Sequence, residues 1–462
     1  MTTIADGNSG ARTATVHRLL LVSYHFPPSE AAGALRWQRL TPIASHFGWE
    51  VDAITLAPDL ADRVGWERVG DLPPHTQIHS VDSPEPLIGR LEIAAWRAWR
   101  ALRRPAADPA PRSRPTTFHR SEVRWLSGGP RAFRRAWNVV LDYARESAWA
   151  RAAVVAGLQV SERHRHDLVI SCGPPHLVHV AGRRLARALK TPFVMDLRDP
   201  WSLQTRLHEE VASPLWFHLA DREEARCVAQ ADLIVMNTPP AAAAMQTKWP
   251  RSRVLAVMNG WDEEALPCCR WPEQFRIVYA GTIYIDRTPQ PFFRAVADAV
   301  RQLGVGPGEF EVRLIGAVEE FGGRSVAGLA AEEGVGDYVR VLPTMPRREV
   351  LGEYAQAAML LTLPQDSHLA IPSKVFEYLR QPCWVLAQTA PQSATGEVLR
   401  DTSAFVVAPD DVERTRNILV RCFEEFRAGR RPEPIARDGR FSRAAEGAKL
   451  FAALESLLSS GA

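Results

Sequence analysis

A chain of 462 residues is too long for one ordinary hydrophobic core, and 46% apolar with 24% charged residues excludes a disordered chain. The net charge of +3 gives no global bias towards a polyanionic partner, so any basic character is local. No apolar run reaches the ~18 residues of a membrane span and no apolar signal core opens the chain. The six cysteines form neither a CxxC pair nor a zinc spacing, which predicts a cytoplasmic protein with reduced thiols and no metal.

Leu19 to Tyr24 reads as a continuous apolar strand. A loop of small residues up to Gly33 follows, and then a helix from about Ala34 with Leu40, Ile43, Ala44 and Phe47 on one face. In an open α/β sheet such a loop lies at the carboxyl edge, where ligands bind. Gly33 would allow close backbone approach and Arg36 could reach a phosphate; alternatively Gly33 only shapes the turn and Arg36 is solvated. The loop is no GxGxxG fingerprint, which argues against a dinucleotide site. Further strands are expected at 51–57 and 77–81.

The segment 90–135 differs in character. Twelve arginines stand against Glu92, Asp108 and Glu122, a local balance of +9, with Trp96, Trp99 and Trp125 interleaved. Basic helical pieces with aromatic residues suit an anionic membrane surface, whereas an Arg-rich hairpin packed on its domain would bury the tryptophans. No nucleic-acid reader motif accompanies the charge.

Alternation then resumes, with strands predicted at 167–171, 192–195, 233–236 and 254–257. Each leads into a polar cluster: Cys172-Gly-Pro-Pro-His176, then Asp196-Leu-Arg198-Asp199-Pro-Trp201, and finally Asn259-Gly-Trp-Asp262. His176 could hold a sugar hydroxyl or move a proton. Asp196, Arg198 and Asp199 read either as a salt-bridge cluster fixing the loop or as substrate contacts. A Pro-marked connector ends near Pro272, and a second set of strands follows at 276–281, 311–316, 339–342, 359–363, 383–387 and 405–407. Gly281 and Thr282 end the first of these, with Arg287 shortly after. A helix opening near Pro372 carries Val375, Phe376 and Leu379 as a core stripe and Ser373, Lys374 and Glu377 beside it. Those three residues suit a diphosphate and a ribose, or equally a solvated face. The expected organisation is 1–265, 266–440 and a closing helical tail, 441–462, that could pack on either domain.

Two such α/β sheets meeting across a cleft resemble the GT-B fold, and the phrases from Val22-Ser-Tyr-His-Phe-Pro-Pro to Pro372-Ser-Lys-Val-Phe-Glu-Tyr-Leu379 resemble family 4-like bacterial glycosyltransferases. The resemblance implies a retaining transfer from a nucleotide-diphosphate sugar, a UDP-sugar by family habit, to a glycan, glycolipid or natural-product hydroxyl, without a metal or other cofactor. It places Gly33, Ser373 and Lys374 on the donor phosphates and Glu377 on the ribose. Glu377 matches the second Glu of the family's Glu-x7-Glu motif, while Leu369 replaces the first. That departure keeps two alternatives open, a non-catalytic sugar-nucleotide-binding subunit and a GT-B epimerase.

Overall fold

In the first strand, β1 (His17–Ser23), Leu19 and Leu21 belong to one core cluster and Leu20 and Val22 to another, and all four are fully buried. A strand alternates its side chains between faces, so a continuous apolar run means a sheet covered on both sides. The computed structural model describes residues 16–58, 65–102, 117–123, 126, 128–264, 266–267, 270–283, 288–363 and 368–460. Arg287 and Trp125 lie outside the described residues, as does the side chain of Trp99.

β1 is central in a parallel sheet of seven strands. The others are β2 (Trp49–Leu56), β3 (Gln77–Val81), β4 (Leu168–Gly173), β5 (Phe193–Leu197), β6 (Leu233–Met236) and β7 (Val254–Ala256). Their order is β3-β2-β1-β4-β5-β6-β7, every pairing being parallel. Strand order reverses between β1 and β4, which opens a crevice at their C-terminal ends. On one face lies α1 (Leu35–His46), with Trp37, Leu40 and Ala44 buried. A 3-10 turn, Ala32–Ala34, precedes it and holds Gly33.

Among the described residues of the basic segment, 90–102 lie in one helix and 129–135 in another, with a short strand, Thr117–His119, and a turn of helix, Arg120–Val123, between them. α2 (Leu87–Leu102) carries Leu87, Leu91 and Trp96 exposed at its surface. The 35-residue α3 (Gly129–Arg163) begins in the segment and then enters the second core, where Trp149, Ala150, Ala153 and Val160 pack beneath Leu20 and Val22. α2 is tied to α3 by the Trp137 indole on Glu92, at 3.3 Å, and Arg145 of α3 also holds Glu85, just before α2, at 3.1 Å. The segment thus docks on its domain yet keeps part of its apolar surface outside. Among the described residues no helix is long and apolar enough to cross a membrane.

The second sheet repeats the plan with β8 (Phe275–Thr282), β9 (Phe310–Ala317), β10 (Val339–Leu342), β11 (Met359–Thr362), β12 (Trp384–Gln388) and β13 (Phe405–Val407). Its order is β10-β9-β8-β11-β12-β13, again parallel throughout. The chain is therefore two doubly wound α/β units. α4 (Ser373–Tyr378) follows β11 and is only six residues long. Pro372 takes the N-cap position with extended backbone, φ −60° and ψ 135°, and not the first helical position that the sequence predicts.

The last helix, α5 (Arg443–Ser460), places Leu450, Phe451 and Leu454 in the core that holds Trp37 and Trp49. Its entry is fixed at the Asn259-Gly-Trp-Asp262 turn. Trp261 N–H donates to the Phe441 carbonyl and Arg443 N–H to the Trp261 carbonyl, at 2.9 and 2.8 Å, and Arg443 pairs with Asp262 at 2.6 Å. Gly260, at φ 65°, lies so close to this backbone that an added Cβ would sit 2.8 Å from Phe441 O. That turn serves the docking of the tail.

Candidate active site

The two switch points supply the walls. On the N-terminal wall, Gly33 lies directly under the Arg198 guanidinium, and any Cβ there would overlap it. Arg198 is anchored by its backbone N–H on Gly173 O, 3.0 Å, and by its side chain on the Pro174 carbonyl. Its Nε is buried without a partner. Beside it, His176 is 8% exposed and stacks on Trp201, with centroids 5.1 Å apart and planes at 13°. Burial, helped by the Arg198 charge, pushes the His176 pKa down to about 3, so the imidazole is neutral at physiological pH. Asp199 touches water in the cleft, but crowding by protein raises its pKa, with Arg198 and then Arg36 pulling the other way.

Arg36, read as a phosphate ligand or a solvated residue, and Asp196, read as a salt-bridge member or a substrate contact, form a buried ion pair with each other. Arg36 Nε bonds both Asp196 oxygens at 3.0 and 2.8 Å, and its Nη1 reaches Val257 O and Asn259 Oδ1. The Trp37 indole also donates to Asp196, at 2.8 Å. The two charges are 3% and 1% exposed. Desolvation alone would lower the Arg36 pKa, but Asp196 holds it raised. The physical reason is packing: α1 lies across the sheet face, so its first turn points this arginine inward, onto the end of β5.

On the C-terminal wall, Gly281 ends β8 at φ 146°, a backbone conformation that favours glycine. An added Cβ would be 3.1 Å from Lys374 Nζ. The ammonium donates to Ala280 O at 3.1 Å and stands 3.6 Å over the Tyr279 ring. Ser373, at the start of α4, is exposed. Glu377, a turn further, pairs with Arg347 at 3.0 Å, and Arg347 also holds Glu264. Burial raises the Glu377 pKa while Arg347 opposes it, and Glu264 and Asp262 add to the rise. Thr282 accepts from Tyr279 Oη through its carbonyl, 2.8 Å, which fixes the strand end.

A cavity of about 770 Å³ is lined by His176 and Asp199 from one domain and by Thr282, Ile283, Ala317 and Ala370 from the other, whereas Gly33, Arg198, Gly281, Ser373, Lys374 and Glu377 are not among its lining residues. Leu369, next to Ala370, packs towards the N-terminal core, and its carbonyl accepts from Thr238 Oγ1 at 2.6 Å. The position aligned with the first motif Glu is thus a tether between domains. Sequence reasoning missed two carboxylates on the cavity wall, Asp142 and Glu146 on α3. Their i, i+4 spacing puts them on one helix face and was the available signal, obscured by the surrounding arginines. Arg347 was missed as well, since no local pattern joins it to Glu377.

No protein-family model matches the chain, and no curated protein matches it. Solved structures do. Sucrose-phosphate synthase from Thermosynechococcus elongatus superposes with TM-score 0.59 at 14% identity, over 96% of this chain and 100% of that one. TarM from S. aureus, in a complex that includes UDP, gives 0.57 at 6% identity, over 96% and 99%. HepE from Anabaena, in complex with UDP-glucose, gives 0.52 at 14%, over 95% and 99%. Likeness at such identities carries the fold, and the fold is GT-B.

Proposed function

We propose that the cleft transfers a sugar from a nucleotide diphosphate, most simply a UDP-sugar, to a hydroxyl acceptor, with retention at the anomeric carbon. The observation that carries this reading is the shared cavity, lined by His176 and Asp199 after the strands of the first sheet and by Thr282 at the end of β8. Lys374, beside Gly281, and Arg198, which fills the space over Gly33, are the cations for the diphosphate. Glu377 takes the ribose hydroxyls, oriented by Arg347. In the transfer, the bond from the anomeric carbon to the phosphate oxygen breaks and its electron pair leaves with the diphosphate. The acceptor oxygen bonds the same carbon from the same face and gives its proton to the departing phosphate. Lys374 and Arg198 meet the developing negative charge, so the reading calls for no metal. His176, neutral, positions hydroxyls and is no proton source. Asp199 lies at the same edge as a second hydroxyl acceptor.

The work takes place, in this reading, at a cytoplasmic membrane face that α2 and the basic segment touch through anionic lipid. A non-catalytic sugar-nucleotide-binding subunit is the competing reading, favoured by Leu369 acting as a tether where the resembling family has a carboxylate. Incubation with radiolabelled UDP-glucose, UDP-galactose and UDP-N-acetylglucosamine separates them. Transfer, or slow hydrolysis of one donor to free sugar, is expected; tight UDP binding with no turnover of any donor would leave only the binder.

A further inference from the structure

Beyond the donor edges, the cavity continues along α3 into the N-terminal domain. Its wall there is mostly apolar: Val139, Tyr143, Leu177, Trp201, Trp216 and Leu219. Three carboxylates interrupt that surface, Asp142 and Glu146 from α3 and Asp199 from the loop after β5, against one guanidinium, Arg206, among the described lining residues. His176, more than nine-tenths buried, is also in the wall, and its Nδ1 finds no hydrogen-bond partner. Such a chamber combines broad apolar contact with a few directional polar groups, the usual make-up of a small-molecule site.

We propose that this chamber receives the acceptor and selects an alcohol or amine with a broad apolar body and no phosphate group, whose hydroxyl or ammonium groups bond to Asp142 and Glu146. The inference rests on the transfer reading above and narrows its acceptor. An aromatic or alicyclic ring would bury its area against the half-buried Tyr143, Trp216 and Leu219 of this wall. A hydroxyl or ammonium donates to carboxylates at short range. A phosphate at the same depth would face three carboxylates, which works against binding. Burial holds Glu146 protonated up to about 7, against a backbone hydrogen bond from Leu177 and with help from Asp142. Discrimination against anions is therefore greatest above that range.

The test uses the full chain, calorimetry at about pH 8 and three matched probes: phenyl β-glucoside, its 6-amino-6-deoxy analogue and its 6-phosphate. The glucoside and the amine should bind, and the phosphate should bind roughly tenfold more weakly or worse. Asp142→Asn combined with Glu146→Gln should narrow that gap to within about threefold and weaken the amine. Equal or tighter binding of the phosphate, discrimination that survives the double substitution, or no binding of any probe would overturn the proposal. UDP is titrated separately on the same preparations. Failure of UDP to bind removes the donor reading, whereas normal UDP affinity with no acceptor discrimination removes this one alone.

Discussion

At the end of β5, Asp196 is sealed beneath α1 by Arg36 and the Trp37 indole, and neither charge of the pair reaches the cleft. At the corresponding edge of the second sheet, Lys374 and Glu377 stand on the near side of a short helix, with Lys374 beside Gly281 and Glu377 restrained from outside by Arg347. The same topology thus uses its charges in two ways. In the N-terminal domain an ion pair fixes how the first helix sits on the sheet, and Arg198 is held over Gly33 by the Gly173 and Pro174 carbonyls. In the C-terminal domain the charges stay at the strand end, Lys374 on the Ala280 carbonyl and Glu377 on Arg347, where the proposed function puts the donor. A switch-point position therefore does not by itself make a charged residue a binding residue; the direction in which its helix or loop turns the side chain decides.

Breaking the buried pair is expected to have the largest effect. Arg36→Ala leaves Asp196 ionised and only partly bonded in the interior, a situation that costs about 3–5 kcal/mol. Urea unfolding measures it. A loss under about 1 kcal/mol would mean that the pair is shared with solvent, and the distinction between the two walls would fall.

The C-terminal wall should respond in affinity and not in stability. Lys374→Ala is expected to weaken both UDP and inorganic pyrophosphate by about 1.5–3 kcal/mol, the range for a charged hydrogen bond. Glu377→Ala should weaken UDP by about 1 kcal/mol and leave pyrophosphate unchanged, because the carboxylate is assigned to the ribose. Calorimetry with the two ligands separates the roles. Loss of pyrophosphate binding in Glu377→Ala would place that residue on the phosphates through Arg347 instead.

Glu146 gives a smaller effect whose sign is fixed. Its pKa is raised from 4.5 to about 7 by burial, with Asp142 adding to the rise, so between those values the folded chain holds a proton that the unfolded chain releases. Stability falls as pH rises through that window. Asp142 shares its helix, Asp199 and His176 line the same cavity from loops, and Arg206 and His208 line it from a short strand. Their contributions cancel in the difference between the wild type and Glu146→Gln. The melting temperature of the variant, measured from pH 5 to 8, should fall less steeply than that of the wild type; parallel curves would mean that Glu146 titrates as an ordinary exposed carboxylate.

The strands were legible because a sheet buried on both faces leaves uninterrupted apolar runs, as at Leu19 to Val22 and at Met359 to Leu363. Punctuation by glycine and proline then placed His176 and Asp199 just beyond strand ends, Gly281 and Thr282 at the end of one, and Gly33 in the connection from β1 to α1. What was hidden depends on helix rotation and on distant partners. Nothing local to Arg36 says that α1 turns it inward, 160 residues away from its carboxylate. Nothing near Glu377 names Arg347. The pair Asp142 and Glu146 follows a run of arginines that suggests a solvated or lipid-facing surface, while the helix that carries them turns towards the cavity one or two turns later.

The weakest effect concerns α2, where the two halves of the basic segment part company. Trp137 and Arg145 are engaged within the domain, but Leu87 and Leu91, one turn apart, are 77% and 70% exposed, and Trp96 is 53% exposed with the Arg100 guanidinium 5.0 Å over its ring. Apolar side chains offered to solvent beside arginines suit the boundary of an anionic bilayer, where each basic residue near the surface contributes about 1 kcal/mol and salt screens the attraction. Binding should be reversible, since the exposed apolar area is small and no helix among the described residues can span. In vesicle co-sedimentation, the protein is expected to pellet with phosphatidylserine-containing vesicles, to remain in solution with neutral ones, and to dissociate at about 0.5 M salt. Leu91→Ser should weaken the association by roughly 1 kcal/mol without moving the melting temperature, because the side chain touches little of the fold. Binding indifferent to lipid charge and salt, or no binding at all, would make the outer surface of α2 a feature of the domain alone and leave the acceptor to reach the cleft from solution.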